Sequence, residues 1–165
     1  MLATQTASDR HGGRMVASPT SSEPLWPVTD LRRYLAGTWM VSRLIDDRRQ
    51  GARGSFLGWA WFAESGGDLD YRERGQMLLP VYRGIATQGY RYRFAAPGRA
   101  AVRFADGRLF HDLDLSAGSW EAEHRCGQDL YAGSFACQGK SLWSVTWRVA
   151  GPRKDLLLSS RFLRC

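Results

Sequence analysis

The sequence predicts an all-β fold: a single antiparallel up-and-down β-barrel of about nine or ten strands, with a short helix at one end. Three observations predict it. Aromatic residues make up 12% of the 165 residues, as seven Trp, six Tyr and seven Phe, beside eighteen Gly. Aromatics fit the pleated surface of strands, and Gly fits turns and bulges. Strict apolar–polar alternation recurs, most cleanly in Tyr90–Phe94 (YRYRF) and Leu142–Val149 (LWSVTWRV), and such alternation marks half-buried strands. Turn signals separate these runs at short intervals, without helical stretches between them. Sequential hairpins with a helix at one end favour a barrel, which also removes exposed sheet edges.

Taken in order, residues 1–28 are rich in Ser, Thr, Gly and Pro and lack periodicity. They read as a disordered leader, carrying His11, ahead of a barrel domain over 29–165. Thr29 or Asp30 caps a helix over Leu31–Ala36, and Gly37 stops it. Strands follow at Met40–Ile45 and Gly54–Phe62, joined by the polar turn Asp46–Arg53. Ala63–Asp68 then turns the chain into Leu69–Gly75. A six-residue loop there sets Phe62 opposite Leu69, Ala60 opposite Tyr71 and Gly58 opposite Glu73. Tyr71 and Glu73 then point inward over small residues, which leaves room in the core. Further strands are expected within Gln76–Thr87, at Tyr90–Phe94 and at Ala101–Phe104, before the hairpin signal Asp106-Gly107.

The next stretch is the most informative. Leu109, His111, Leu113 and Leu115 alternate with Phe110, Asp112 and Asp114. After the turn Ser116–Ser119, Trp120, Ala122, His124 and Cys126 alternate with charged residues. Successive strand residues face opposite ways, so the first set of each strand faces the core. A four-residue loop sets His111 directly opposite His124, with Cβ atoms about 4.5–5.5 Å apart. Leu130–Ala136, Leu142–Val149 and Asp155–Arg164 complete the strands.

The net charge is +7. Arg72, Arg74, Arg91, Arg93, Arg103 and Arg125 alternate with apolar or aromatic residues, so the basic balance reads as a solvated outer face rather than a nucleic-acid surface. Three cysteines without a C-x-x-C pair, no signal peptide and no run of about 18 apolar residues point to a cytoplasmic protein with no membrane partner. Oligomeric state is left open, a homodimer included. No P-loop, dinucleotide-binding glycine pattern, Gly-x-Ser-x-Gly or His-Glu-x-x-His is present, which leaves phosphoryl transfer, serine hydrolysis and nicotinamide chemistry without support.

Gly37-x-Trp39 at the first strand, with Arg161 on the last, resembles the calycin superfamily of lipocalins and fatty-acid-binding proteins. That resemblance implies a barrel whose end is closed by the Arg packed over the Trp. More narrowly, LAGTW, DGRLFH, EHRCGQDLYAG and WRVAGPRKD are similar to a bacterial family of unknown function with a calycin-like barrel. The resemblance spans roughly residues 31–164 and implies a fold, not an activity.

The inward polar set is the candidate site. Buried polar groups cost free energy unless hydrogen-bonded, so a mixed interior suits a small-ligand cavity. His111, His124, Glu73 and Tyr71 form the candidate acid/base set. Tyr90, Tyr92, Cys126, Tyr131, Trp147 and Arg161 are the expected ligand-binding residues. Two readings stand side by side. One is a cofactor-free enzyme performing cyclisation, isomerisation, decarboxylation or elimination on a small apolar or aromatic compound. The other is a carrier or sensor of a hydrophobic carboxylate. Haem or a metal on His111 and His124 is the lesser alternative, and His111 and His124 as a purely structural pair is a further one.

Overall fold

The computed structural model describes residues 24–165, so the expected leader lies outside the described residues up to position 23, His11 included. Residues 24–28 are bonded to the barrel: Trp26 N donates to the Cys137 carbonyl at 2.8 Å and Val28 N to that of Leu115 at 2.9 Å.

A short helix, α1 (Leu31–Leu35), precedes ten strands: β1 (Gly37–Asp47), β2 (Ala52–Ser65), β3 (Asp68–Leu79), β4 (Tyr82–Ala96), β5 (Arg99–Arg103), β6 (Leu109–Asp114), β7 (Ser119–Cys126), β8 (Asp129–Gly139), β9 (Leu142–Gly151) and β10 (Lys154–Arg164). All ladders are antiparallel, in the order β6-β5-β4-β3-β2-β1-β10-β9-β8-β7. The first strand therefore pairs with the last, and the sheet curls into a nearly closed barrel. No helix among the described residues is long and apolar enough to cross a membrane.

α1 forms for a local reason. The Asp30 carboxylate accepts the Arg33 amide at 2.9 Å, and Leu31 and Leu35 are fully buried. Capping supplies about 1 kcal/mol, so burial of the two leucines holds so short a helix in place. It plugs one end of the barrel. Trp39 Nε1 donates to the Leu35 carbonyl at 2.8 Å, and the indole is wholly buried. The guanidinium that covers it belongs to Arg164, 4.2 Å from the ring centroid, and also donates to the Ala36 and Tyr34 carbonyls. Arg161, expected in that place, is exposed on the outer face. Parity decides this: Ser160 and Phe162 are buried, so Arg164 shares their face and Arg161 does not. Gly37 has φ +112°, and a Cβ there would come 3.4 Å from Arg164 Nη1.

Three other expectations change. The β2–β3 turn is the two-residue Gly66-Gly67, both at positive φ, joining Ser65 to its partner Asp68. A tight glycine turn matches strand twist. It slips the register by two, so Tyr71 lies opposite Phe62 and Glu73 opposite Ala60, still pointing inward. Second, Gln76–Thr87 is no separate strand: β3 runs to Leu79, and β4 begins at Tyr82 and continues through Tyr90–Phe94.

Third, β6 and β7 are the two edges of the sheet and share no ladder pair among the described residues. The loop between them is turned instead by Gly118, at φ +83°, whose amide donates back to the Leu115 carbonyl. Side chains close the seam: Trp120 Nε1 on β7 donates to the Asp112 carbonyl on β6 at 2.8 Å. A bulge in the β5–β6 pairing also pairs Val102 with His111 but Arg103 with Leu109, leaving Phe110 as the extra residue. Bulges re-aim side chains. Phe110 therefore joins the interior rings, and Leu109, expected inside, is 46% exposed.

Candidate functional site

Beyond the α1 plug the interior is not filled. A chamber of about 150 Å³ opens among residues of β1, β3, β4, β5, β6, β8, β9 and β10. Its floor is Trp143 stacked on Phe162, with centroids 3.9 Å apart.

One wall is ionic. Strand parity puts Arg43 on the inner face of β1 with Trp39 and Val41. Its Nη1 and Nη2 donate to the two carboxylate oxygens of Glu73 at 2.7 and 2.9 Å, and its Nε to Ser160 Oγ at 2.8 Å. The Tyr71 hydroxyl donates to Glu73 Oε2. Burial alone would lower the Arg43 pKa, but the bond to Glu73 and its charge more than offset this and leave it raised. A bidentate guanidinium–carboxylate pair is the strong geometry for such a contact. Burial, then the Glu73 charge, pushes the Tyr71 hydroxyl well up, so it stays a donor.

The facing wall is aromatic. Tyr90 stacks on Phe110 at 5.3 Å, and Phe110 on Trp147 at 5.1 Å. Burial, helped by Glu73, raises the Tyr90 pKa to about 12. Gln88 Nε2 donates to the Tyr90 oxygen, which leaves the phenolic proton for another partner. Tyr131 accepts from Lys154 Nζ at 3.1 Å, and Lys154 also pairs with Asp129 at 2.8 Å.

His111 belongs to this wall and is 5% exposed. Its Nδ1 lies 2.7 Å from the Asp112 carbonyl. A carbonyl only accepts, so Nδ1 carries the proton and Nε2 of the neutral ring keeps its lone pair. Burial lowers the pKa to about 4, against the opposing bond to Asp112.

A family model described as a family of unknown function (DUF6314) matches residues 35–164. The chain belongs to DUF6314. No curated protein matches this sequence. Among solved structures, the DUF6314 barrel is similar to a DUF3598-family protein of unknown function from Nostoc punctiforme, with TM-score 0.60, 11% identity and coverage of 88% of this chain and 53% of that one. It spans, then, about half of that protein. It is also similar to the S-type phycobiliprotein lyase CPES from Guillardia theta, with TM-score 0.60, 7% identity and coverage of 81% of this chain and 90% of that one. At such identities the likeness is one of fold.

Within the DUF6314 barrel, the expected site residues separate into two groups. Tyr71, Glu73, Tyr90, Tyr92, His111, Tyr131 and Trp147 line the chamber together. His124 does not stand opposite His111 in a ladder. Both imidazoles pack instead on Phe110, at 5.1 and 4.8 Å, with His124 half-buried behind the wall. Cys126, at the end of β7 beside the turn to β8, is exposed, and Arg161 is outside the barrel. Among the described residues no three His, Cys, Asp or Glu side chains gather as a metal site. Arg43 was missed, although alternation with Trp39 and Val41 already places it inside. Phe110 was missed because the bulge that turns it inward has no marker in the sequence.

Proposed function

We propose that this barrel binds one small apolar or aromatic compound in the chamber beside Arg43, Glu73 and His111. The observation that carries the reading is an unfilled space of about 150 Å³ walled by stacked rings, with hydrogen-bonding groups gathered on its sides. Binding sites are mostly apolar hollows with a few placed polar groups. A dry cavity of about this volume admits a molecule the size of benzene, so a porphyrin does not fit this reading. Gly37-x-Trp39 with its covering arginine supports kinship with the calycins, and three free cysteines suit a reducing, cytoplasmic setting.

Acid/base turnover of the bound compound is the second reading. It is favoured by a neutral His111 that shares the chamber with Tyr71, Glu73 and Tyr90. Its weakness is that Arg43 and Tyr71 already occupy Glu73, while a histidine pKa near 4 makes a weak base at neutral pH.

Native mass spectrometry of the purified full chain, with an absorption spectrum on the same sample, tests the first reading. A co-purified small organic mass is the expected result. An apo protein that also shows no tryptophan fluorescence change with any single-ring compound overturns it. For the second reading, His111→Ala combined with His124→Ala should abolish turnover while changing affinity less than about tenfold, ~1.4 kcal/mol.

A further inference from the structure

The polar inventory of the chamber specifies its ligand more narrowly, on the premise that the chamber is a binding site. Only two lining residues carry charge, Arg43 and Glu73, and they face each other in a bidentate pair whose partners have 15% and 3% side-chain exposure. Glu73 also accepts a hydrogen bond from the Tyr71 hydroxyl, and Arg43 Nε donates to Ser160 Oγ. The chamber is thus internally neutralised. A carboxylate ligand would have to enter without a cation of its own, and desolvating an unpaired charge is costly.

What the chamber leaves open is neutral. The one side-chain hydrogen bond of His111 among the described residues is made by Nδ1, so Nε2 is unbonded, and it is not sealed from the open space. A buried acceptor of this kind asks for a donor. The Tyr90 hydroxyl proton has no partner either, since its only bond is the one it accepts from Gln88. Trp143 Nε1, in the floor, is unpartnered too but sealed from the open space, so it is not part of what a ligand meets. An oxygen that both donates and accepts answers this set, and a hydrocarbon does not. Tyr90, Phe110 and Trp147 cover one another's faces, so a ligand ring meets this wall at ring edges, the edge-to-face arrangement aromatic pairs favour.

We infer that the chamber takes an uncharged, single-ring phenol-class compound whose hydroxyl donates to His111 Nε2.

The full chain is titrated at pH 7 with phenol, toluene and benzoate, followed by calorimetry and tryptophan fluorescence. Phenol should bind about tenfold more tightly than toluene, the value of one hydrogen bond to a buried neutral acceptor. Benzoate should be weaker than phenol by about a hundredfold or more. His111→Phe should bind toluene and phenol alike, since the ring stays and the acceptor goes. Equal binding of phenol and toluene by the natural protein, or tighter binding of benzoate, overturns the inference while leaving the chamber a binding site. No binding of any of the three by protein that carries no co-purified compound overturns the binding-site reading itself. Should His111→Phe not fold, the ¹⁵N resonance of His111 Nε2 in the natural protein decides. It moves with phenol and not with toluene if the hydrogen bond forms, and an unmoved resonance under saturating phenol refutes the assignment.

Discussion

At the α1 end, Trp39 meets Trp143 edge to face at 6.3 Å, and Arg164 meets the ring faces of Trp39 and Tyr34 and two backbone carbonyls. Past the floor of Trp143 and Phe162, Arg43 meets a carboxylate, and the space beside it stays unfilled. Both arginines point inward from paired strands at the β1–β10 junction, yet one closes volume and the other preserves it. The plug shows what a stability-driven interior looks like in this barrel. Against it, the chamber departs in ways that packing alone does not require: ionised groups, unpaired donors and room for a ring.

The largest effect is expected at the plug. Trp39→Ala should cost about 3–5 kcal/mol in urea denaturation, as a buried aromatic is replaced by a cavity. A loss below about 1 kcal/mol would mean the plug is not the structural end of the barrel. Next comes the ionic wall. Removing Glu73 alone strands Arg43, which keeps some water contact, so Glu73→Ala should cost about 3 kcal/mol. The double variant Arg43→Met with Glu73→Leu should lie closer to the natural protein than either single, because neither partner is left unpaired. Additive losses would make the wall just another plug.

The pH dependence separates the ends as well. An unfolded histidine takes its proton near pH 6.5, whereas folded His111 does so near pH 4. Between these values the unfolded chain holds more protons, so stability falls as pH falls. The His111 share of that loss is about 3 kcal/mol from pH 7 to pH 4, and His111→Phe should lack it. The smallest contrast is between two arginines of β10. Arg164→Ala should cost about 2 kcal/mol, from the ring contact and the carbonyl bonds. Arg161→Ala should stay within about 0.5 kcal/mol. Equal losses would erase the parity argument.

Much of this was legible in the residues. Alternation placed Tyr71, Glu73, Trp143 and Trp147 on the inner face, and no register error of two could move them off it. Gly37-x-Trp39 marked the plug. What stayed hidden depended on single-residue events. The bulge at Phe110 reversed the facing of two residues. The choice between Arg161 and Arg164 turned on where the strand parity fell. Most of all, adjacency in sequence suggested that β6 and β7 pair, but the barrel closes through β1 and β10 instead. Two histidines that counting placed face to face are therefore held by Phe110 and by the Asp112 carbonyl.

That closure divides the strands into two meanders, β1–β6 and β7–β10, joined by ladder pairs only where the first strand meets the last. The peptide link between them, at Ser116–Gly118, carries no rung of the ladder. A chain cut there loses connectivity but keeps every interstrand pair, so the two pieces have what they need to reassemble from separate polypeptides. In the intact protein, the contact most distant in sequence must form before the interior is enclosed. Closure is then expected late in folding, with a rate that follows the β1–β10 pairing rather than the turn.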